Sequence, residues 1–300
     1  MEWDEHRFGF VAVSGRPNVG KSTLVNRIMG TEVAIVTPKA QTTRNRISAI
    51  YTAPHVQMVL QDTPGLHDAK GALNRSLLAT AMKTVQDADM VLLIVEPLQE
   101  VPDQDIRAIE LIKATSKPSV LAINKIDTIS YQALLPLIDR YSGLHPFEHI
   151  VPISATEGTG VDELLEVLVS MLPLGPPQFP EDDISDLPVR FFVAEMIREQ
   201  IMRMTGEEVP YKTAVVVEEF KEQARRVLIR ADIHVERDSQ KKIIIGKGGS
   251  MIKKIGIAAR QKIEGFIQQP VRLDLFVKVT PHWTRSATHL RELGYEPPRT

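Results

Sequence analysis

Eight residues constrain this chain more than any others. Gly15-Arg16-Pro17-Asn18-Val19-Gly20-Lys21-Ser22 match the spacing G-x-x-x-x-G-K-[ST]. The apolar stretch Phe8 to Val13 before them reads as a buried β-strand, and Thr23 to Met29 reads as a helix closed by Gly30. A strand, a glycine-framed turn and a helix N-terminus gather backbone N–H groups around an anion, because the first helical turn leaves its donors unpaired. Residues Gly15 to Thr23 are therefore expected to wrap a polyphosphate, with Lys21 reaching the outer phosphates. The Ser22 hydroxyl suits Mg2+, which prefers hard oxygen ligands.

Three further motifs extend the site. Asp62-Thr63-Pro64-Gly65 follows the alternating run Val56 to Leu60. A carboxylate at that strand end can hold Mg2+, and Gly65 can bring a backbone N–H to a γ-phosphate, a contact that exists only before hydrolysis. Asn124-Lys125-Ile126-Asp127 follows the strand Ser119 to Ile123. Asp127 can accept two hydrogen bonds from a guanine's ring N–H and exocyclic amine, which adenine cannot supply. A polar site left unpaired by the wrong base would reject ATP by ~10⁴-fold or more. Asn124 and the stem of Lys125 would brace the loop and the base. Ser154-Ala155-Thr156, after the strand His149 to Ile153, would offer the Ala155 N–H to the guanine oxygen. The four motifs, in this order and each at a strand's C-terminal end, predict a GTP-binding domain.

The chain has 300 residues, no cysteine, and an apolar fraction of 43% with 25% charged residues. That is a soluble globular composition with room for two domains and no thiolate metal site. The acidic N-terminus and the short longest apolar run, Met90 to Val95, argue against secretion and membrane insertion and fit the cytoplasm. Strands alternating with helical patterns at Thr80–Ala88, Asp105–Lys113, Gln132–Tyr141 and Val161–Leu172 predict an α/β fold: a mostly parallel six-stranded sheet with helices on both faces. A hairpin over Ile47–Ala53 and Val56–Leu60 predicts one antiparallel strand. Prolines at 173, 176, 177, 180 and 188, with Glu181-Asp182-Asp183, mark an extended connector. The expected organisation is a nucleotide-binding domain over 1–172, a linker over 173–188 and a second domain over 189–300.

The net charge of −2 conceals an asymmetry. Residues 1–180 hold 15 Lys and Arg against 20 Asp and Glu, whereas residues 223–300 hold 16 against 7. A basic block on an acidic chain suggests a polyanionic partner. The second domain reads as helix, strand, strand, helix, loop, helix, strand. Its loop Gly246-Lys247-Gly248-Gly249 follows Ile243-Ile244-Ile245 and leads into a long helix. This order resembles an α+β KH domain of type II. There, glycines bring the backbone to nucleic-acid phosphates at a helix N-terminus, and about four single-stranded nucleotides are clamped. The expected RNA contacts are Ile244, Ile245, Gly246, Lys247, Gly248, Gly249, Ile252 and Lys253, with Ile255 also lining the groove. Lys241, Lys242, Lys254 and Arg260 would add charge around the loop. Few aromatic residues lie nearby, so apolar packing and hydrogen bonding are expected to outweigh ring stacking.

With both halves read, the chain from Phe8 to Trp283 resembles the bacterial Era family of ribosome-associated GTPases. The resemblance implies slow hydrolysis of GTP to GDP and phosphate, and binding to the 3′ region of 16S ribosomal RNA. It also implies a part in processing and assembly of the small (30S) subunit, and carries the expectation of peripheral contact with the inner face of the cell membrane. Lys39-Ala40-Gln41-Thr42-Thr43-Arg44 is similar to the family's first switch, in which one threonine binds Mg2+; Thr43 is favoured, with Thr42 open. Lys21, Thr43, Asp62 and Gly65 form the expected catalytic set, and Ser22, Thr43 and Asp62 the Mg2+ ligands. Asn18 matches an asparagine that helps hold K+ beside the phosphates, or else it only shapes the loop. Leu66 stands where Ras-like enzymes carry a water-orienting glutamine, and Gln61 is not expected to replace it. Arg44 and His67 read as solvated side chains, and no general base is visible. Two other readings stand: a GTPase whose C-terminal domain docks a protein or an anionic membrane surface, and a nucleotide-dependent modification enzyme, which would need a further catalytic constellation. The eight histidines are scattered and suggest no zinc site.

Overall fold

The computed structural model describes residues 5–39, 42–65 and 71–295. The chain divides into two compact units, one lying within the first 186 residues and the other beginning, for the most part, at Leu187.

In the first unit, β1 (Arg7–Ser14) leads through the glycine-framed loop into α1 (Lys21–Met29). Then come β2 (Ile47–Ala53), β3 (Val56–Asp62), α2 (Ala72–Asp87), β4 (Met90–Val95) and α3 (Asp103–Thr115). β5 (Ser119–Ile123), α4 (Leu134–Leu144), β6 (His149–Pro152) and α5 (Val161–Met171) complete it. The sheet order is β2-β3-β1-β4-β5-β6. All neighbours run parallel except β2 and β3, whose hairpin pairs Ile47 with Asp62 and Ala53 with Val56. Strands covered on both faces read as continuous apolar runs, and all six residues of β4 are buried. Val85, Ile109, Ile112, Leu137 and Tyr141 pack with Val91 and Leu93 in one core cluster. α1 and α5 bury Leu24, Val25, Leu164 and Leu168. Because β1, β3, β5 and β6 are parallel, the loops that follow them open at one edge, where doubly wound sheets bind ligands.

Two features go beyond the sequence reading. α2 begins at Ala72, two turns before the expected Thr80. Its buried ladder Leu73, Leu77, Ala81, Val85 keeps strict i, i+4 spacing, but Asn74, Arg75 and Ser76 interrupt the apolar signal. The proline-rich segment, read as an extended connector, is also hydrogen-bonded to the sheet over part of its length. The fully buried Gln57 side chain accepts from the N–H groups of Gln178 (2.8 Å) and Phe179 (2.9 Å) and donates to the Phe179 carbonyl (2.8 Å). Ile50 N–H donates to the Ile184 carbonyl at 3.0 Å, and Ser185 Oγ to the Ser48 carbonyl at 2.6 Å. These contacts cover the edge strand β2, whose outer backbone groups would otherwise invite another chain.

The second unit contains α6 (Val189–Met204), β7 (Ala214–Gln223), β8 (Arg226–Val235), α7 (Asp238–Ile245), α8 (Ser250–Ile267), β9 (Val271–Val279) and the short α9 (Ala287–Glu292). Its sheet order is β7-β8-β9, with β8 antiparallel to β7 and parallel to β9. Alternation along β8 sends Val227, Ile229, Ala231, Ile233 and Val235 inward. They share a core of buried residues with Val193, Ile197, Ile244, Ile255, Ala259 and Ile263 of the helices. Trp283 is fully buried, donates through Nε1 to the Lys212 carbonyl at 3.1 Å, and stacks on Tyr295.

Candidate functional site

The loop after β1, the α1 N-terminus, the segment before β2 and the loops after β3, β5 and β6 enclose a cavity of about 370 Å3. Gly20 shows why the loop needs glycine. Its φ is 103°, and a Cβ there would stand 2.2 Å from Asn124 Nδ2. Lys21 is buried, with Nζ donating to the carbonyls of Gly15 (3.1 Å) and Arg16 (2.9 Å). Burial pulls its ammonium down to about 8, against the opposing pull of Asp62. Three members of the loop offer the cavity no polar side chain. Val19 is fully buried, Pro17 has no N–H to give, and the Arg16 guanidinium turns away to Glu96 (2.9 Å) and Asp105 (3.0 Å). Thr23 lines the cavity.

Ser22, Thr43 and Asp62 converge. Ser22 Oγ donates to Asp62 Oδ2 at 2.7 Å, Thr43 Oγ1 donates to the same oxygen at 3.1 Å, and the two hydroxyls stand 3.0 Å apart. Asp62 Oδ1 is buried with no hydrogen-bond partner, and burial pushes the carboxyl up despite Lys21. Two hydroxyls and an under-satisfied carboxylate form a hard-oxygen set that fits Mg2+. Of the two threonines, Thr43 is the one whose hydroxyl stands at Ser22 and Asp62, whereas Thr42 Oγ1 is 2.7 Å from Thr37 Oγ1 and donates to the Lys39 carbonyl. Gly65 lines the same cavity. Arg44, read from sequence as solvated, is buried. Ala40, Gln41, Leu66 and His67 lie outside the described residues.

On the base side, Asn124 is a brace. Its Nδ2 donates to the Val19 carbonyl at 2.7 Å, and its Oδ1 accepts from Ala155 N–H at 2.9 Å. A guanine oxygen would therefore share the Ala155 N–H with Asn124. Ser154 is buried and receives the Glu157 N–H on its hydroxyl, so it shapes the loop, while Thr156 lines the cavity. Asp127 lies on a single 3-10 turn and is exposed; a base must cover it before an unmet carboxylate costs anything. Lys125, with φ 63°, donates from Nζ to the Asn18 carbonyl at 2.9 Å and to Glu96. Glu96 thus ties the phosphate loop, through Arg16, to the base-reading loop. The sequence reading passed over it, although an acidic residue directly after the all-apolar β4, at the ligand edge of the sheet, was the available signal. Asn18 is also in the left-handed region (φ 65°), which asparagine tolerates, and donates from Nδ2 to the Pro38 carbonyl at 3.2 Å.

In the second unit the Gly246–Gly249 loop joins α7 to α8. Gly246 has φ 73°, and a Cβ on it would meet Met251 N at 2.8 Å. Lys247 and Gly248 are exposed, and Ile245 and Gly249 partly so. Ile244 and Ile255 are fully buried core residues, which corrects their placement in the groove. A groove of about 720 Å3 instead lies between α8 and β9, lined by Ile252, Lys253, Gly256, Ile257, Arg260, Leu273, Leu275 and Phe276, among others. Phe276 is 47% exposed, with the Arg230 guanidinium 4.7 Å above its ring, and by strand alternation it shares the outward sheet face with Arg230, away from Leu273 and Leu275.

Two families match the chain: one described as 50S ribosome-binding GTPase over residues 10–125, and the KH domain over residues 208–284. GTPase Era of Geotalea uraniireducens is 49% identical, covering 99% of this chain and all of its own. GTPase Era of Lacticaseibacillus paracasei is 47% identical, covering 97% of each. Among solved structures, a point variant of Aquifex aeolicus Era bound to GDP.AlF4- superposes with a TM-score of 0.93 at 40% identity. Era in complex with MgGDPNP and nucleotides 1506–1542 of 16S ribosomal RNA gives 0.94 at 41%. Both cover 97% of this chain and 99% of their own. With the site's geometry and full-length identity in agreement, the chain belongs to the Era family of GTPases.

Proposed function

We propose that this GTPase is a nucleotide-operated switch that binds the 3′ region of 16S ribosomal RNA and assists processing and assembly of the small subunit. Residues 1–172 would bind the nucleotide and residues 189–300 the RNA. The observation that carries the reading is the meeting of Thr43 with Ser22 and Asp62 at the foot of the phosphate loop. It brings the first switch to the position where a γ-phosphate can be sensed. Near-complete similarity to an Era captured with MgGDPNP and 16S nucleotides 1506–1542 names the RNA.

Ser22, Thr43 and Asp62 would hold Mg2+, which supplies positive charge beside the β- and γ-phosphates. This chain's own part is to wrap the phosphates with the 15–23 backbone, place Lys21 against the transferring group, and select guanine through Asp127. Asn18, beside the Pro38 carbonyl, would serve a K+ ion; faster hydrolysis in K+ than in Na+, lost in Asn18→Ala, tests that. Hydrolysis forms a bond from the water oxygen to the γ-phosphorus and breaks its bond to the β–γ bridging oxygen, leaving GDP and phosphate; the contacts that Thr43 and Gly65 would make are then released and RNA affinity falls. The shift can be no larger than RNA's preference for one nucleotide state.

The exposed Lys247 and the groove of Ile252, Lys253, Ile257 and Arg260 offer phosphates a cationic loop and bases an apolar wall. RNA affinity measured with a non-hydrolysable GTP analogue and with GDP is expected to differ; equal values remove the switch. Lys247→Asp combined with Gly248→Asp is expected to abolish RNA binding and leave nucleotide affinity intact. Among the described residues no helix is long and apolar enough to cross a membrane. Salt-sensitive liposome binding without RNA affinity would favour the membrane-docking reading instead.

A further inference from the structure

On the face of the second unit's sheet opposite its core, Glu218 of β7 and Asp232 and His234 of β8 each bring one ligand atom within 4.8 Å of the other two. Asp232 and His234 share a strand face by their i, i+2 spacing. Glu218 joins them because the pairing of β7 with β8 slips between Val217 and Glu219, leaving Glu218 as the extra residue of a bulge. Bulges re-aim side chains in this way.

The polar atoms here are under-satisfied. Asp232 is fully buried, and its Oδ1 has no hydrogen-bond partner. Its other oxygen faces the half-exposed ammonium of Lys278 on β9. His234 Nε2 is likewise buried without a partner, while Nδ1 is held 2.8 Å from Thr280 Oγ1. A ring fixed through one nitrogen, with the other buried and unpaired in a group that includes two carboxylates, suits a metal-ligating histidine. An ordinary ion pair would account for Asp232 Oδ2 and Lys278; it leaves Asp232 Oδ1 and His234 Nε2 unexplained.

We propose that Glu218, Asp232 and His234 form a binding site for a divalent transition-metal ion of the Zn2+ class, separate from the nucleotide site. One nitrogen and two carboxylate oxygens suit Zn2+, whose bonds of about 2.0–2.2 Å put tetrahedral donors roughly 3.4 Å apart. The exposed Glu218 side chain is free to close that distance, and Lys278, 50% exposed, is free to swing into solvent. The fourth position is left for water. The spacing of the histidines along the chain gave no sign of this site, because its third ligand arrives across a hairpin and through a bulge.

The test uses the full-length, untagged chain, saturated with Mg2+ and GDP so that the oxygen cluster of the first unit is filled. Zn2+ is titrated in competition with a chromophoric chelator. One equivalent per chain is expected to bind, with His234→Ala and Glu218→Gln each weakening it at least tenfold. Glu218→Gln alters an exposed side chain, so its loss of binding does not reflect misfolding. Lys278→Gln, which removes the competing cation, is expected to tighten binding. Failure of the unaltered chain to take Zn2+ from the chelator, or equal uptake by the chain and by both ligand variants, overturns the proposal.

Discussion

The cavity at the phosphate loop and the groove between α8 and β9, proposed to take RNA, are built from different materials. Around the phosphate loop the working atoms are buried and held by named partners: Lys21 by two carbonyls, Asn124 between Val19 and Ala155, Ser22 and Thr43 on Asp62. In the groove the working groups stand in solvent: Lys247, Lys253, Ile257 and Arg260 are all exposed. The first kind of site discriminates by geometry, because a wrong ligand leaves buried polar groups unmet. The second attracts by field and shape, and its energetics follow salt. Asp127, proposed to read the base at the first site, is exposed like the second. It is therefore where the contrast is most easily broken.

Asp127→Ala should give the largest effect. GTP-over-ATP preference is expected to fall by roughly 10⁴-fold, while thermal stability moves by no more than about 0.5 kcal/mol, as for other exposed positions. Competition of ATP against a labelled GTP analogue reads the first number and a melting curve the second. Unchanged base preference would show that discrimination lies in the buried brace instead.

Asn124→Ala comes next and should behave in the opposite way. It removes an acceptor from Ala155 N–H and a donor from the Val19 carbonyl, both in the buried interior. Each orphaned group costs about 1–3 kcal/mol, so GTP and ATP are expected to weaken together, by ~10²-fold or more, with the first unit also destabilised. Calorimetric titration of both nucleotides checks this. A change in preference without loss of affinity would contradict the bracing role.

Lys253→Ala should be smaller. RNA affinity is expected to drop several-fold across sequences, and the slope of log affinity against log salt to flatten by about 0.7–1. Nucleotide binding should stay unchanged. An effect confined to one RNA sequence would mean that Lys253 reads a base.

This contrast also explains what was legible in the sequence. The phosphate and guanine motifs could be read because each residue type answers a backbone demand that leaves few substitutes: Gly20 at φ 103° against Asn124, and a carboxylate where β3 ends. The contact of Ala155 N–H with Asn124 was not legible, because nothing local in the sequence shows a partner 31 residues away. The groove was half legible. The isoleucine stripe gave the helix and its core face, but spacing alone could not say whether Ile244 and Ile255 or Ile252 and Ile257 faced outward. The groove itself was not legible, because it exists only once α8 lies across β9. Glu96, Gln57 and the bulge at Glu218 act through tertiary pairings, which local patterns do not encode.

The smallest effect concerns His145, which lies in the first unit outside the nucleotide cavity. Its Nε2 is 3.0 Å from Ser119 Oγ, and its Nδ1 is buried without a partner. Burial, with repulsion from Lys113, holds its pKa below the ordinary histidine value. The unfolded chain, with histidine near about 6.5, therefore binds the proton first as pH falls. The contribution to stability is fully present above about 6.5 and is lost as pH descends through the folded-state value. Urea unfolding of the first unit at about pH 7.5 and 5.5, on either side of the unfolded-chain value of about 6.5, should show lower stability at the acid end, with a smaller difference in His145→Gln. An identical pH dependence in the variant would place the acid sensitivity elsewhere, with the buried carboxylates Asp62 and Asp105 excluded by sign. Burial raises their pKa values, so the folded state gains rather than loses from added protons.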